Sequence, residues 1–180
     1  KPVFVDVNID DWNINIDLIK KNITKKTRAI ISVDCYGNPS NKKEILSICK
    51  KFKLKFIEDA APGIGSKINN KFCGTFGDAG VFSFQGAKPI TSGEGGAIIT
   101  NNKKIYDKVV YYNDHCRIKN KILFSTDIGF KYKISNLQSA LLVTQLKNFN
   151  KIIDIRRNNF FNYKKYFKNK EYFFMNSEKK

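Results

Sequence analysis

The stretch that most constrains the fold is residues 28–58, which reads strand, helix, strand. Residues 28–33, RAIISV, are an apolar run ended by Asp34, Tyr36 and the turn residues Gly37, Asn38 and Pro39. Asn41 and Glu44 then make a capping pair, since an Asn side chain can accept a free backbone N–H of a first helical turn. Ile45, Ile48, Cys49 and Phe52 recur behind it at helical spacing and give the helix one apolar face. Residues 54–57 supply the second strand. Two strands joined by a helix pair in parallel through a right-handed crossover, so the chain is expected to be α/β.

That second strand runs into Glu58, Asp59, Ala60 and Ala61. Acids at the carboxyl end of a buried parallel strand are costly unless they serve a site, and ligands of open α/β sheets bind at that edge. A helix cap or a solvated loop carboxylate is the competing reading of both. Gly63-Ile64-Gly65 lacks the third glycine of a dinucleotide fingerprint, because Ile68 stands there. Residues 66–74 instead read as a hairpin with Asn69-Asn70 at its tip.

Residues 79–100, AGVFSFQGAKPITSGEGGAIIT, place Lys88 on a turn-rich connection between two strands expected to be buried, 81–84 and 97–99. Burial disfavours an ammonium and turns a lysine into a nucleophile or Schiff-base former, although most lysines in so lysine-rich a chain are solvated. Elsewhere, residues 2–7 read as a strand, 16–23 as a short helix and 103–113 as a helix with Ile105, Val109 and Tyr112 on one side. Residues 114–134 are loop-like. Ser135 and Gln138 form a capping box opening one long helix through Leu137, Leu141, Gln145, Phe149, Ile152, Arg156, Phe160 and Tyr163. A helix of that length is expected to bridge two bodies.

Composition narrows the function classes. The net charge of +17 invites nucleic acid, but the lysines are spread along the chain and no nucleic-acid motif accompanies them. No apolar run is long enough to span a membrane, and the start resembles neither a signal nor a transit peptide; with four cysteines that suit a reducing compartment, the protein is expected to be cytoplasmic. The chain opens in strand-like sequence without an initiator methionine, so it is expected to be a piece of a longer protein. Cys35, Cys49, Cys73 and Cys116 lack metal-site or disulfide spacing and read as free thiols. The single histidine, His115, cannot complete a metal site and reads as a loop or packing residue.

Asp59 after one strand, Ser83 in the next, Lys88 beyond it and glycines after that suit pyridoxal 5′-phosphate (PLP). This cofactor needs an imine-forming lysine, a carboxylate on its ring nitrogen and donors for its phosphate. The segments IEDAAPGIGS, GTFGDAGVFSFQGAKPITSGEGGAIITNN and IGFKYKISNLQSALLVTQL resemble the PLP-dependent nucleotide-sugar aminotransferases, GDP-perosamine synthase-like enzymes of fold type I. PVFVDVNIDDWNIN and VDCYGNPSN extend the likeness over nearly the whole chain.

The resemblance implies a three-layer α/β/α architecture around a mostly parallel sheet. Residues 1–150 would be the large domain without its N-terminal part, and 151–180 a long-helix connection into a small C-terminal domain. It implies Lys88 and Asp59 as catalytic residues, with Lys88, Asp59, Ser83, Ala61 and Asn136 on the cofactor. Asn136 would reach the phosphate held by a neighbouring subunit, in a homodimer with shared active sites. The implied reaction moves an amino group from glutamate to a 4-keto-6-deoxy nucleotide sugar, for surface polysaccharide or glycan synthesis. Pro62 departs from the pattern, standing where many members carry Gln, Glu or His against the cofactor's 3-oxygen. Glu94 matches it and is read as structural. Members with histidine in place of the lysine perform dehydration, against which Lys88 argues. A catalytically silent regulator and a basic nucleic-acid-binding module are the alternatives.

Overall fold

A computed structural model describes residues 1–118, 121 and 124–167, leaving the tail of the expected 151–180 connection outside the described residues. Helix α1 (Ile16–Asn22) is capped by the Asn15 side chain, which accepts the N–H groups of Asp17 and Leu18. Strand β1 (Ala29–Val33) leads through a tight turn to α2 (Lys42–Phe52) and then β2 (Lys55–Asp59). The capping pair forms as expected: Asn41 Oδ1 accepts the Glu44 N–H at 3.3 Å while its Nδ2 donates to Glu44 at 2.7 Å. Helix α2 stops where Lys53 turns left-handed and the Leu54 N–H bonds back to the Cys49 carbonyl.

Strands β3 (Lys67–Ile68) and β4 (Lys71–Phe72) make the small hairpin. Asn69 and Asn70 at its tip both have positive φ, the geometry that lets a two-residue turn follow the strand twist. Strands β5 (Ala79–Ser83) and β6 (Gly96–Ile99) complete the main sheet, in the order β1-β2-β5-β6. The first two pairings are parallel and the last antiparallel, so the sheet is mostly parallel as expected. Helix α3 (Lys103–Asn113) follows, and α4 (Asn136–Lys147) begins at the Ser135–Gln138 capping box. Helix α5 (Phe149–Tyr166) ends the described chain.

The core lies between α1, α2 and one face of β1 and β2, where Ile19, Ile30, Ile45, Ile48, Cys49 and Phe56 are buried together. Each large apolar side chain so buried contributes about 1.5–3 kcal/mol. Val5, Ile14, Ile16, Ile23, Leu54 and Phe76 pack around that cluster.

Three sequence expectations change. Residues 2–7 form no strand: Val7 makes a single bridge to Ile14, the Asp6 carbonyl accepts the Asn15 N–H at 3.0 Å, and Phe4 is 91% exposed. The long helix is two, because Asn148 (φ −101°, ψ 12°) leaves helical geometry and its side-chain amide donates to the Thr144 carbonyl. Strand β6 is not buried; among the described residues it pairs only with β5 and leaves Ile98 and Ile99 open.

Candidate active site

The parallel strands deliver their carboxyl ends to one edge. Val33 pairs with Asp59, and Asp59 with Val81. Side chains alternate along a strand, so Phe56 and Glu58 turn inward and are buried, while Ile57 and Asp59 share the opposite face with Val81 and Ser83. With strands about 4.8 Å apart and about 3.3 Å of rise per residue, the Ser83 and Asp59 backbones lie roughly 8 Å apart.

Asp59 is fixed by its neighbours. Its carbonyl accepts the Asp34 N–H at 3.0 Å, and its Oδ1 accepts the Ala61 N–H at 3.1 Å. Its Oδ2 has no partner among the described residues and is free to receive a donor. The Ser83 Oγ accepts the Gln85 N–H at 3.3 Å, which leaves its own hydrogen available. Gln85 then folds the turn that carries Lys88: its side-chain oxygen accepts the Ala87 N–H and its carbonyl the Lys88 N–H, both at 2.9 Å. Lys88 is half-buried, and among the described residues its ammonium has no hydrogen-bond or ion-pair partner. Gly86 and Gly93 face each other across this loop, and a methyl group added at Gly93 would meet nothing within 4 Å. The loop is therefore an open cradle between the strand ends.

The remaining predicted residues are more spread. Ala61 is half-buried beside Asp59, and Pro62 is half-buried with its carbonyl toward Gly37. Asn136 is the exposed first residue of α4. The Glu94 carbonyl accepts the Ser92 hydroxyl at 2.7 Å, closing the glycine-rich turn. His115 sits left-handed in the loop after α3, its N–H bonded to the Phe130 carbonyl.

Glu58 answers to its surroundings rather than to a ligand. It is fully buried, and its Oε1 accepts the N–H groups of Phe76 and Gly77 at 2.5 and 2.6 Å. Its Oε2 accepts the Gly74 N–H at 2.9 Å and the Lys42 ammonium at 3.2 Å. Lys42, the first residue of α2 and itself buried, also reaches Asp34 Oδ1 at 2.5 Å. The same Asp34 oxygen accepts the Ser40 N–H at 3.1 Å, while the buried Asp34 Oδ2 has no partner among the described residues. Sequence reading misses Asp34 and Lys42. The available signal is Asp34 at the end of β1, level with the acids ending β2.

Charge around the site follows these contacts. Burial, and next the negative charge of Asp34, push the Cys73 thiol up to about 12. Burial likewise raises Cys49 to about 11, so both stay protonated thiols. All four cysteines are free.

Comparison with known proteins sets this geometry in context. The model of the DegT/DnrJ/EryC1/StrS aminotransferase family matches residues 1–180. The chain is 37% identical over 156 residues to a GDP-perosamine synthase of Escherichia coli O157:H7, covering 87% of this chain and 43% of that protein. Among solved structures it resembles Helicobacter pylori PseC, an aminotransferase involved in the biosynthesis of pseudoaminic acid. That likeness has a TM-score of 0.90 and 34% identity, covering 96% of this chain and 47% of that one. It also resembles an E. coli GDP-4-keto-6-deoxy-D-mannose-3-dehydratase with bound hydrated PLP, with a TM-score of 0.81 and 31% identity over 94% of this chain and 48% of that one. The chain thus spans about half the length of the proteins it matches.

Proposed function

Because the chain belongs to the DegT/DnrJ/EryC1/StrS aminotransferase family, we propose that the full-length protein is a PLP-dependent nucleotide-sugar aminotransferase. It would move an amino group from glutamate to a 4-keto-6-deoxy nucleotide sugar for surface polysaccharide or glycan synthesis. One observation carries this reading: Asp59 and Ser83 share a sheet face at the ends of adjacent parallel strands, and an unpaired lysine sits on the turn that follows.

The donor set fits the cofactor. The free Asp59 Oδ2 is the acceptor for a protonated ring nitrogen. The Ser83 hydroxyl and the open glycine turn suit a phosphate, because a hydroxyl and backbone N–H groups are what an anion requires. The Lys88 ammonium, committed to no carboxylate, is available for the covalent attachment. When bound, PLP acts as an electron sink for negative charge developing on the substrate carbon. Lys88 Nζ would be the base that takes the proton from the donor's α-carbon and later returns one to the sugar carbon. Asp59 would keep a bound ring nitrogen protonated. Ala61 packs beside this carboxylate, and Asn136 serves the phosphate held by a second copy in a homodimer. The assembly works in the cytoplasm.

The dehydratase relative marks the second reading for such a site. Lys88 favours transamination, since a lysine can both attach the cofactor and shuttle the proton. The test is the absorbance spectrum of the full-length protein with PLP, before and after glutamate, beside Lys88→Ala. A visible band that glutamate bleaches and the variant lacks is expected. No band in the wild type, or one unaltered in Lys88→Ala, removes the proposal.

A further inference from the structure

We infer that Lys42 is a positioning residue for the candidate site, tying the ends of β1 and β2 to one buried ammonium so that Asp59 keeps its direction. This rests on the function proposed above. A lysine at the first position of a helix opposes the helix dipole, and a buried ammonium is costly to desolvate. Lys42 nevertheless stands there with 2% of its surface exposed, held by Asp34 at 2.5 Å and Glu58 at 3.2 Å.

Both carboxylates lead to Asp59. Glu58 is its covalent neighbour, and with four donors on its two oxygens it fixes the backbone from which Asp59 projects to the other face. Asp34 immediately follows β1, and its N–H donates to the Asp59 carbonyl at 3.0 Å. Glu58 also gathers the 74–77 turn, which feeds β5 and so sets where Ser83 falls. There is little slack: a methyl group on Gly63 would come within 2.9 Å of the Asp34 Cβ. Moving the ammonium therefore moves the ends of β1 and β2 and the approach to β5 together.

The experiment compares wild type, Lys42→Met and the double variant Asp34→Asn/Lys42→Met in the full-length protein. The double variant removes one cation and one anion, while Asn keeps an acceptor for Ser40 and leaves Glu58 with its three backbone donors. Lys42→Met is expected to melt well below wild type, and the double variant within about 4 °C of it. Despite that recovery, amide exchange at residues 59–61 and 81–83 of the double variant, measured without cofactor, is expected to be about tenfold faster. Its PLP dissociation constant is expected to rise about tenfold. Exchange and affinity both within twofold of wild type in the double variant overturn the inference, as does a double variant that does not fold. Faster exchange in a protein whose wild type takes up no PLP keeps the framework and defeats the cofactor reading instead.

Discussion

Replacing Glu58 by Gln exchanges one carboxylate oxygen for an amide NH2 in a pocket where every neighbour is a donor. Placed at Oε1, the NH2 meets the N–H groups of Phe76 and Gly77; placed at Oε2, it meets the Gly74 N–H and the Lys42 ammonium. Either orientation forfeits two hydrogen bonds to a charged acceptor, each worth about 1.5–3 kcal/mol. It also leaves Lys42 with Asp34 as its single counter-charge. Breaking a buried pair by removing one partner costs about 3–5 kcal/mol, which agrees with that sum. For a folded unit of 180 residues, the loss lowers the melting temperature by roughly 6–20 °C. The assay is urea denaturation of wild type and variant, reading the midpoint at unchanged slope so that the difference reports stability rather than a changed denatured state. A Glu58→Gln protein within about 1 kcal/mol of wild type would mean that the carboxylate is not the charged keystone its contacts indicate.

Three further outcomes are expected. Gly80→Ala puts a methyl group 2.0 Å from the Gly74 carbonyl oxygen, so β5 must shift, and a loss of about 2 kcal/mol or more is expected by the same denaturation assay. Burial by itself would raise the Asp78 carboxyl, but hydrogen bonds from the Lys55 ammonium and the Phe56 N–H outweigh it and hold the group below its usual value. Its contribution is therefore present above the unfolded value near 4 and is lost as pH falls through the lower folded value. The stability gap between wild type and Asp78→Asn should close between pH 5 and about pH 2, and a gap independent of pH would refute this. Finally, a thiol reagent at pH 8 should modify half-buried Cys35 before buried Cys49 and Cys73; simultaneous modification in the folded protein would contradict their burial.

Local chemistry made much of the fold legible. The capping pair at Asn41, the box at Ser135, the Asn69-Asn70 tip and the β-α-β unit depend on neighbours in sequence, and each formed where it was read. Features that depend on distant partners were harder. Residues 2–7 have strand composition, but their backbone pairing stops at one bridge, Val7 to Ile14, with the Asp6 carbonyl accepting the Asn15 N–H beside it. Asn148 sits inside a helical pattern, and the break shows only in its backbone angles and in the side chain that bonds back to Thr144. Lys42 looks like any other lysine until α2 sets it between Asp34 and Glu58. At the site, the order of Asp59, Ser83 and Lys88 was readable, whereas the anchoring of Asp59 through Asp34 depended on strand register.

The contact between α5 and the loop after Asp59 sets a steric limit at Gly65. At Gly65 the Ile153 side chain sits so near that an added methyl would come within 2.7 Å, and the Phe149 ring lies just beyond. Phe149 also meets Phe72 edge-on, with ring centroids 6.4 Å apart. A side chain at residue 65 would therefore have to displace Ile153, and the left-handed φ of +90° there would strain it as well. The glycine thus sets how near the α5 side chains can lie to the segment that follows β2.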